Sequence, residues 1–94
     1  MREEIRHYYD EVAKYTNESW IAHFDKINPK RLVRSNKYHL DHIYSIFQGF
    51  KEGISPEIIG HWTNLRMLSK SENSGKKDRC DKTKEQLLED FNKY

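Results

Sequence analysis

Between residues 38 and 77 the chain carries an Asp-His pair, Asp41-His42, followed by two asparagines, Asn64 and Asn73. A carboxylate and a carboxamide oxygen are hard ligands suited to Mg²⁺, which takes one or two groups from protein and keeps water and phosphate oxygens for the rest of its shell. Asp41 and Asn73 supply such a pair. An imidazole with an ordinary pKa near ~6.5 is mostly neutral at physiological pH and accepts a proton from water, so His42 is the natural general base. Together these types describe metal-assisted attack of water on a phosphate ester.

The elements that must position them can be read from pattern. Tyr38 to Ile46 is rich in aromatic and β-branched residues and predicts a strand, with Asp41-His42 near its end and a turn signal at Gln48-Gly49. Strand alternation points Asp41 and His42 to opposite faces, so both serve one site only where the strand ends or bulges. His39, two residues before Asp41, shares its face and is a candidate for contact with a second ligand shell or with DNA. Leu65-Arg66-Met67-Leu68 predicts a second strand. Ser69 with Glu72 three residues on forms a capping box that opens a helix carrying Asn73. In the loop between the strands, Ser55-Pro56 begins a short helix that runs to Ile59 and ends at Gly60. His61, just before Asn64, is a weaker candidate for a polar role.

Asp-His at a strand end, N-L-R-M-L opening a second strand and another Asn nine residues later resemble the HNH endonucleases. The longer set H-L-D-H-I-Y-S-I, G-F-K, I-x-P-E-I-I-G-H and T-N-L-R-M-L is similar to small bacteriophage HNH and homing endonucleases, over roughly 40 of the 94 residues. The resemblance implies a ββα-metal finger over residues 38–77. It makes His42 the general base, Asp41 and Asn73 the metal ligands, and Asn64 the member of the catalytic set that hydrogen-bonds the loop backbone. Asn73 stands where the family often has His, a variant common in nicking members, and this favours Mg²⁺, with Mn²⁺ or another divalent ion able to substitute.

Ninety-four residues, 35% of them hydrophobic, with a mean hydropathy of −1.07, allow one domain with a thin core. A metal, DNA or a second subunit would add stability, so the expectation is a monomer or weak homodimer. No apolar run approaches a membrane span, and the charged opening is no signal peptide, which leaves a cytosolic protein with no membrane partner. Cys80 is the only cysteine, so one chain can form neither an internal disulfide nor a Cys₄ zinc site, and it reads as an exposed thiol in a polar run.

The net charge of +2 conceals an uneven distribution. Residues 26–40 hold five basic residues and no acid, and residues 66–84 hold seven basic against three acidic. Both blocks flank the candidate site, as expected where phosphates approach. Arg31 and Arg34 in the first, and Lys76 and Lys77 in the second, are the candidate DNA contacts; the plain alternative is a pair of solvated charged loops.

The rest is helical. Ile5, Tyr8, Tyr9, Val12 and Ala13 predict an amphipathic helix from Arg2 to about Tyr15. Thr16-Asn17-Glu18-Ser19 breaks it, and a second helix follows to Lys26, with Trp20 and Phe24 packed inward. Ile43, Ile46, Phe47 and Phe50 are expected in the core. A second capping box, Thr83 with Gln86, opens a last helix with Leu87, Leu88 and Phe91 on its apolar face.

The expected fold is α+β: one domain over residues 1–94, with a helical and basic part (1–37), the finger (38–77) and a C-terminal helix (78–94). The expected function is Mg²⁺-dependent DNA endonuclease; the alternative is a non-catalytic DNA-binding module that uses the finger to dock on phosphates. No separate DNA-reading module is visible in the chain.

Overall fold

In the computed structural model, which describes residues 2–76 and 78–94, the N-terminal run forms one helix, α1 (Arg2–Ala22). The break expected at Thr16–Ser19 falls instead at His23, before a single turn, α2 (Phe24–Ile27). The reason is local. Thr16 and Ser19 turn inward, and their hydroxyls donate to Val12 O and Gly60 O, each at 2.7 Å. Satisfied in this way, polar residues that would compete with the helix backbone leave it intact.

After an exposed basic loop the chain enters β1 (Tyr38–His42). The expected strand to Ile46 is shortened because Ser45 caps a helix: its Oγ accepts from Gln48 N at 3.0 Å and opens α3 (Ile46–Glu52). Gln48 and Gly49, read as a turn, are therefore helical. Gly53 ends α3 in the left-handed region, at φ 68°. α4 (Pro56–Ile59) forms as the Ser55-Pro56 signal predicts, and a 3₁₀ turn (Trp62–Asn64) leads into β2 (Leu65–Ser69).

β1 and β2 make a two-stranded antiparallel sheet, in register from Tyr38 opposite Ser69 to His42 opposite Leu65. α5 (Lys70–Lys76) follows β2 directly through the expected box, with Ser69 Oγ accepting from Glu72 N at 3.3 Å and Glu72 Oε1 accepting from Ser69 N at 3.1 Å. The Thr83–Gln86 box opens α6 (Lys84–Lys93). The architecture is α+β, a hairpin among helices, and among the described residues no helix is long and apolar enough to cross a membrane.

The core lies between α1, α3, α4 and α6. Val12, Ile59 and Leu87 are wholly buried, joined by Tyr8, Tyr44 and Ile54. Burial of each aliphatic side chain is worth about 1.5–3 kcal/mol. Ile46 and Phe50 pack at the edge as expected, whereas Phe47 is exposed. Cys80 is not an exposed thiol: it sits half-buried against the core, its Sγ accepting from Ser45 N at 3.3 Å.

α1 passes close to Gly60, the residue that ends α4. A Cβ there would lie 2.8 Å from Tyr15 Cβ, and 2.9 Å from both Thr16 N and Val12 O. Two of these are backbone atoms of a helix, which cannot move aside alone. Gly60→Ala should therefore destabilise the protein by about 1–3 kcal/mol through overpacking, measured as a lower urea midpoint with unchanged slope.

Candidate active site

β1 ends at His42, and this allows Asp41 and His42 to share one site. Both line a shallow cavity of about 200 Å³ with Asn73 and Lys76 of α5; Tyr9, Leu40, Ser45, Ile46 and Asp78 complete its wall. A larger cavity, about 560 Å³, lies beside β2 and is lined by residues such as Ile27, Leu32, Tyr38 and Met67, without Asp41, His42 or Asn73.

Asp41 is 6% exposed and holds two cations. Its Oδ2 accepts from Arg66 Nε at 2.9 Å, across the hairpin, and its Oδ1 lies 3.3 Å from Lys76 Nζ. Lys76 Nζ also donates to His42 O at 2.8 Å. The pairing continues outward from Arg66 to Asp81, whose other oxygen accepts from Arg79 Nε at 2.8 Å. Arg79 first, then Arg66, hold the Asp81 carboxyl down to about 2.

Lys76 thus departs from the sequence reading. Named there as a candidate DNA contact, it points inward, its side chain 2% exposed. Lys77, its expected companion, lies outside the described residues.

His42 is held at Nε2 by Thr16 Oγ1 at 2.9 Å. Burial, and then the charges of Lys76 and Arg34, push its pKa down to about 4, so the ring is neutral at physiological pH. Asn73 Nδ2 meets His39 Nδ1 at 3.2 Å, and among the described residues no donor bonds its amide oxygen. His39 therefore orients Asn73 from the same strand face as Asp41.

A carboxylate and an amide oxygen on one cavity fit Mg²⁺ by donor type, with most of the shell left to water and phosphate. An ion held by Asp41 would share that carboxylate with the Lys76 ammonium. Among the described residues no group of three or more His, Cys, Asp and Glu is placed to hold a metal ion.

Asn64 is wholly buried and does not line the small cavity. Its Nδ2 donates to Tyr44 O at 3.1 Å and Ile59 O at 2.8 Å, and its Oδ1 accepts from Tyr44 N at 2.8 Å. Its contribution is to hold the loop. His61 stands apart from the site: its Nδ1 meets Thr63 Oγ1 at 2.8 Å, and its ring packs on Trp62 and Phe91.

The two arginines of the basic loop have different surroundings. Arg34 lies over the Trp20 ring at 5.0 Å, is near enough to act on His42, and lines a small cavity with His39. Arg31, at φ 53°, lies over Phe24 at 5.5 Å and pairs with Asp25 at 2.9 Å, away from the cavity. Thr16 and Arg66 were missed as site residues in the sequence, and Lys76 was named there only as a DNA contact. A mid-helix Thr and a lysine within a charge run carry no local signal of burial.

No family model, no curated protein and no solved structure matches the chain.

The half-buried neutral imidazole links stability to pH. A folded pKa below the unfolded value means that the unfolded chain takes up the proton first, so the contribution is intact above ~6.5 and lost as pH falls toward about 4. The expected loss over that window is about 3 kcal/mol. His61, lowered mainly by its own burial, adds in the same direction. Asp81 acts only at lower pH. Urea denaturation at pH 7.5 and 4.5 measures the loss, and His42→Asn should remove most of it; an equal loss in that variant would assign the effect elsewhere.

Proposed function

We propose that this chain is a Mg²⁺-dependent DNA endonuclease of the HNH type, in which the β1–β2 hairpin and α5 act as a ββα-metal finger. The observation that carries the reading is convergence: Asp41 and His42 from the end of β1 and Asn73 from α5 line one cavity. The order of strand, loop, strand and helix, and the loop-clamping amide of Asn64, support it.

Asp41 and Asn73 would hold the ion, with His39 orienting the Asn73 amide. Bound Mg²⁺ supplies neutralisation of phosphate charge and of the departing oxygen. His42 accepts a proton from the water that attacks phosphorus, and the 3′ oxygen leaves, giving 5′-phosphate and 3′-hydroxyl ends. A base works best with a pKa near the operating pH, and in the free protein His42 lies below that. An incoming phosphodiester brings negative charge beside the ring and raises it. Arg34, fixed by Trp20 at the edge of the site, takes a neighbouring phosphate. One finger has one such centre, so each encounter nicks one strand.

The reading is tested by conversion of supercoiled plasmid to open circle with Mg²⁺, beside an EDTA control. Nicking is expected, and His42→Ala should slow it by about 10²–10⁴-fold while DNA binding persists. One observation favours a second reading, a non-catalytic module docking on phosphates: both oxygens of Asp41 already face cations. Binding without any metal-dependent nicking would decide for it. In either case Arg34→Ala should lower the slope of log affinity against log salt by about 1, measured by fluorescence anisotropy from low to moderate salt.

A further inference from the structure

Thr16 lies in the middle of α1, outside the hairpin, and is 6% exposed. Its hydroxyl has two neighbours: Val12 O at 2.7 Å and His42 Nε2 at 2.9 Å. A hydroxyl carries one proton and accepts through its lone pairs, whereas a carbonyl oxygen only accepts. The proton of Thr16 is therefore directed to Val12 O, and its oxygen is left to receive a hydrogen bond from the ring. A neutral imidazole has a single N–H. If Nε2 carries it, Nδ1 holds the lone pair.

We infer that Thr16 is a positioning residue, which fixes His42 as the Nε2–H tautomer and leaves Nδ1 as its basic nitrogen. The supporting contacts point the same way. Lys76 holds the His42 carbonyl at 2.8 Å, so backbone and ring are restrained from two helices. Ser19, one turn beyond Thr16, bonds Gly60 O at 2.7 Å, and the lack of a Cβ at Gly60 lets α1 approach closely enough for the hydroxyl to reach the ring. The significance for catalysis rests on the nuclease reading above: the base must present its lone pair to water. The tautomer itself does not depend on that reading.

The experiment uses the ¹⁵N-labelled full chain without metal at pH 7.5, and reads imidazole nitrogens through their long-range couplings to ring protons. His42, identified by its absence from the spectrum of His42→Asn, should show a protonated Nε2 and an unprotonated Nδ1. Thr16→Val, which keeps the side chain's shape but removes the acceptor, should shift His42 toward the other tautomer or a mixture, and Thr16→Ser should restore it. A wild-type His42 protonated at Nδ1 overturns the inference whether or not the valine variant folds; so does a Thr16→Val spectrum indistinguishable from wild type. In the nicking assay Thr16→Val should lower kcat by about 10²-fold with KM little changed, and Thr16→Ser should recover it. Loss in kcat without a change of tautomer also counts against the inference. A wild-type protein with the expected tautomer but no nicking refutes the nuclease reading alone.

Discussion

The amide of Asn64 closes the long connection between the strands, and much else depends on that closure. Three side-chain hydrogen bonds tie it to Tyr44 and Ile59, and its own carbonyl accepts from Ile43 N at 2.8 Å. The backbone groups it satisfies are those left over where β1 has stopped and α4 has ended. Buried without partners, each would cost about 1–3 kcal/mol. Because the clamp joins residues just after β1 to the residue just before β2, it brings the ends of the loop together where His42 faces Leu65. Register at that pair decides which way Asp41 and His42 point, since a slip by one residue turns every side chain over.

α1 acts as the second constraint. It is the longest element, yet it buries only a narrow stripe, Tyr8, Val12, Thr16 and Ser19. The first two build core and the last two build contacts to His42 and Gly60. A single helix face therefore stabilises the fold at one end and addresses the cavity at the other. The close passage at Gly60 serves both, because it sets the distance of α1 from α4 and so from the hairpin.

Much of this was legible in the chain wherever the signal is local. The Ser69–Glu72 and Thr83–Gln86 boxes and the Ser55-Pro56 start are stated by neighbouring residues, and all three open helices. Asp41, His42 and Asn73 were singled out by residue type and spacing, and the fold brings them together. What was misread depends on distant partners or on competing local signals. Thr16–Ser19 looks like a helix break until Val12 O and Gly60 O take its hydroxyls. Ser45 caps a helix that strand-like residues on either side of it conceal, and Gly49 is needed within that helix because a Cβ would meet Tyr8 and Ile59 at less than 3 Å. Lys76 could be seen only as a charge; its burial follows from Asp41, which lies on another element.

The costs in this structure are unevenly placed. A small core supports a buried ammonium at Lys76, a neutral imidazole beside it, and a helix interior that spends a hydroxyl on its own backbone at Thr16. Burying an ion is expensive unless it is well paired, and an apolar pair in the same volume is often as stable or more so. A chain selected for stability alone has little reason to keep these groups within reach of one another. Their concentration around the small cavity is the physical ground for reading function there; the charged groups that line the larger cleft beside β2, Lys26, Lys30, Arg66 and Glu72, are exposed or half-buried. Size alone would have chosen the other. Where the fold tolerates desolvated charge and a proton acceptor held at one nitrogen, it retains groups whose chemistry exceeds what packing requires.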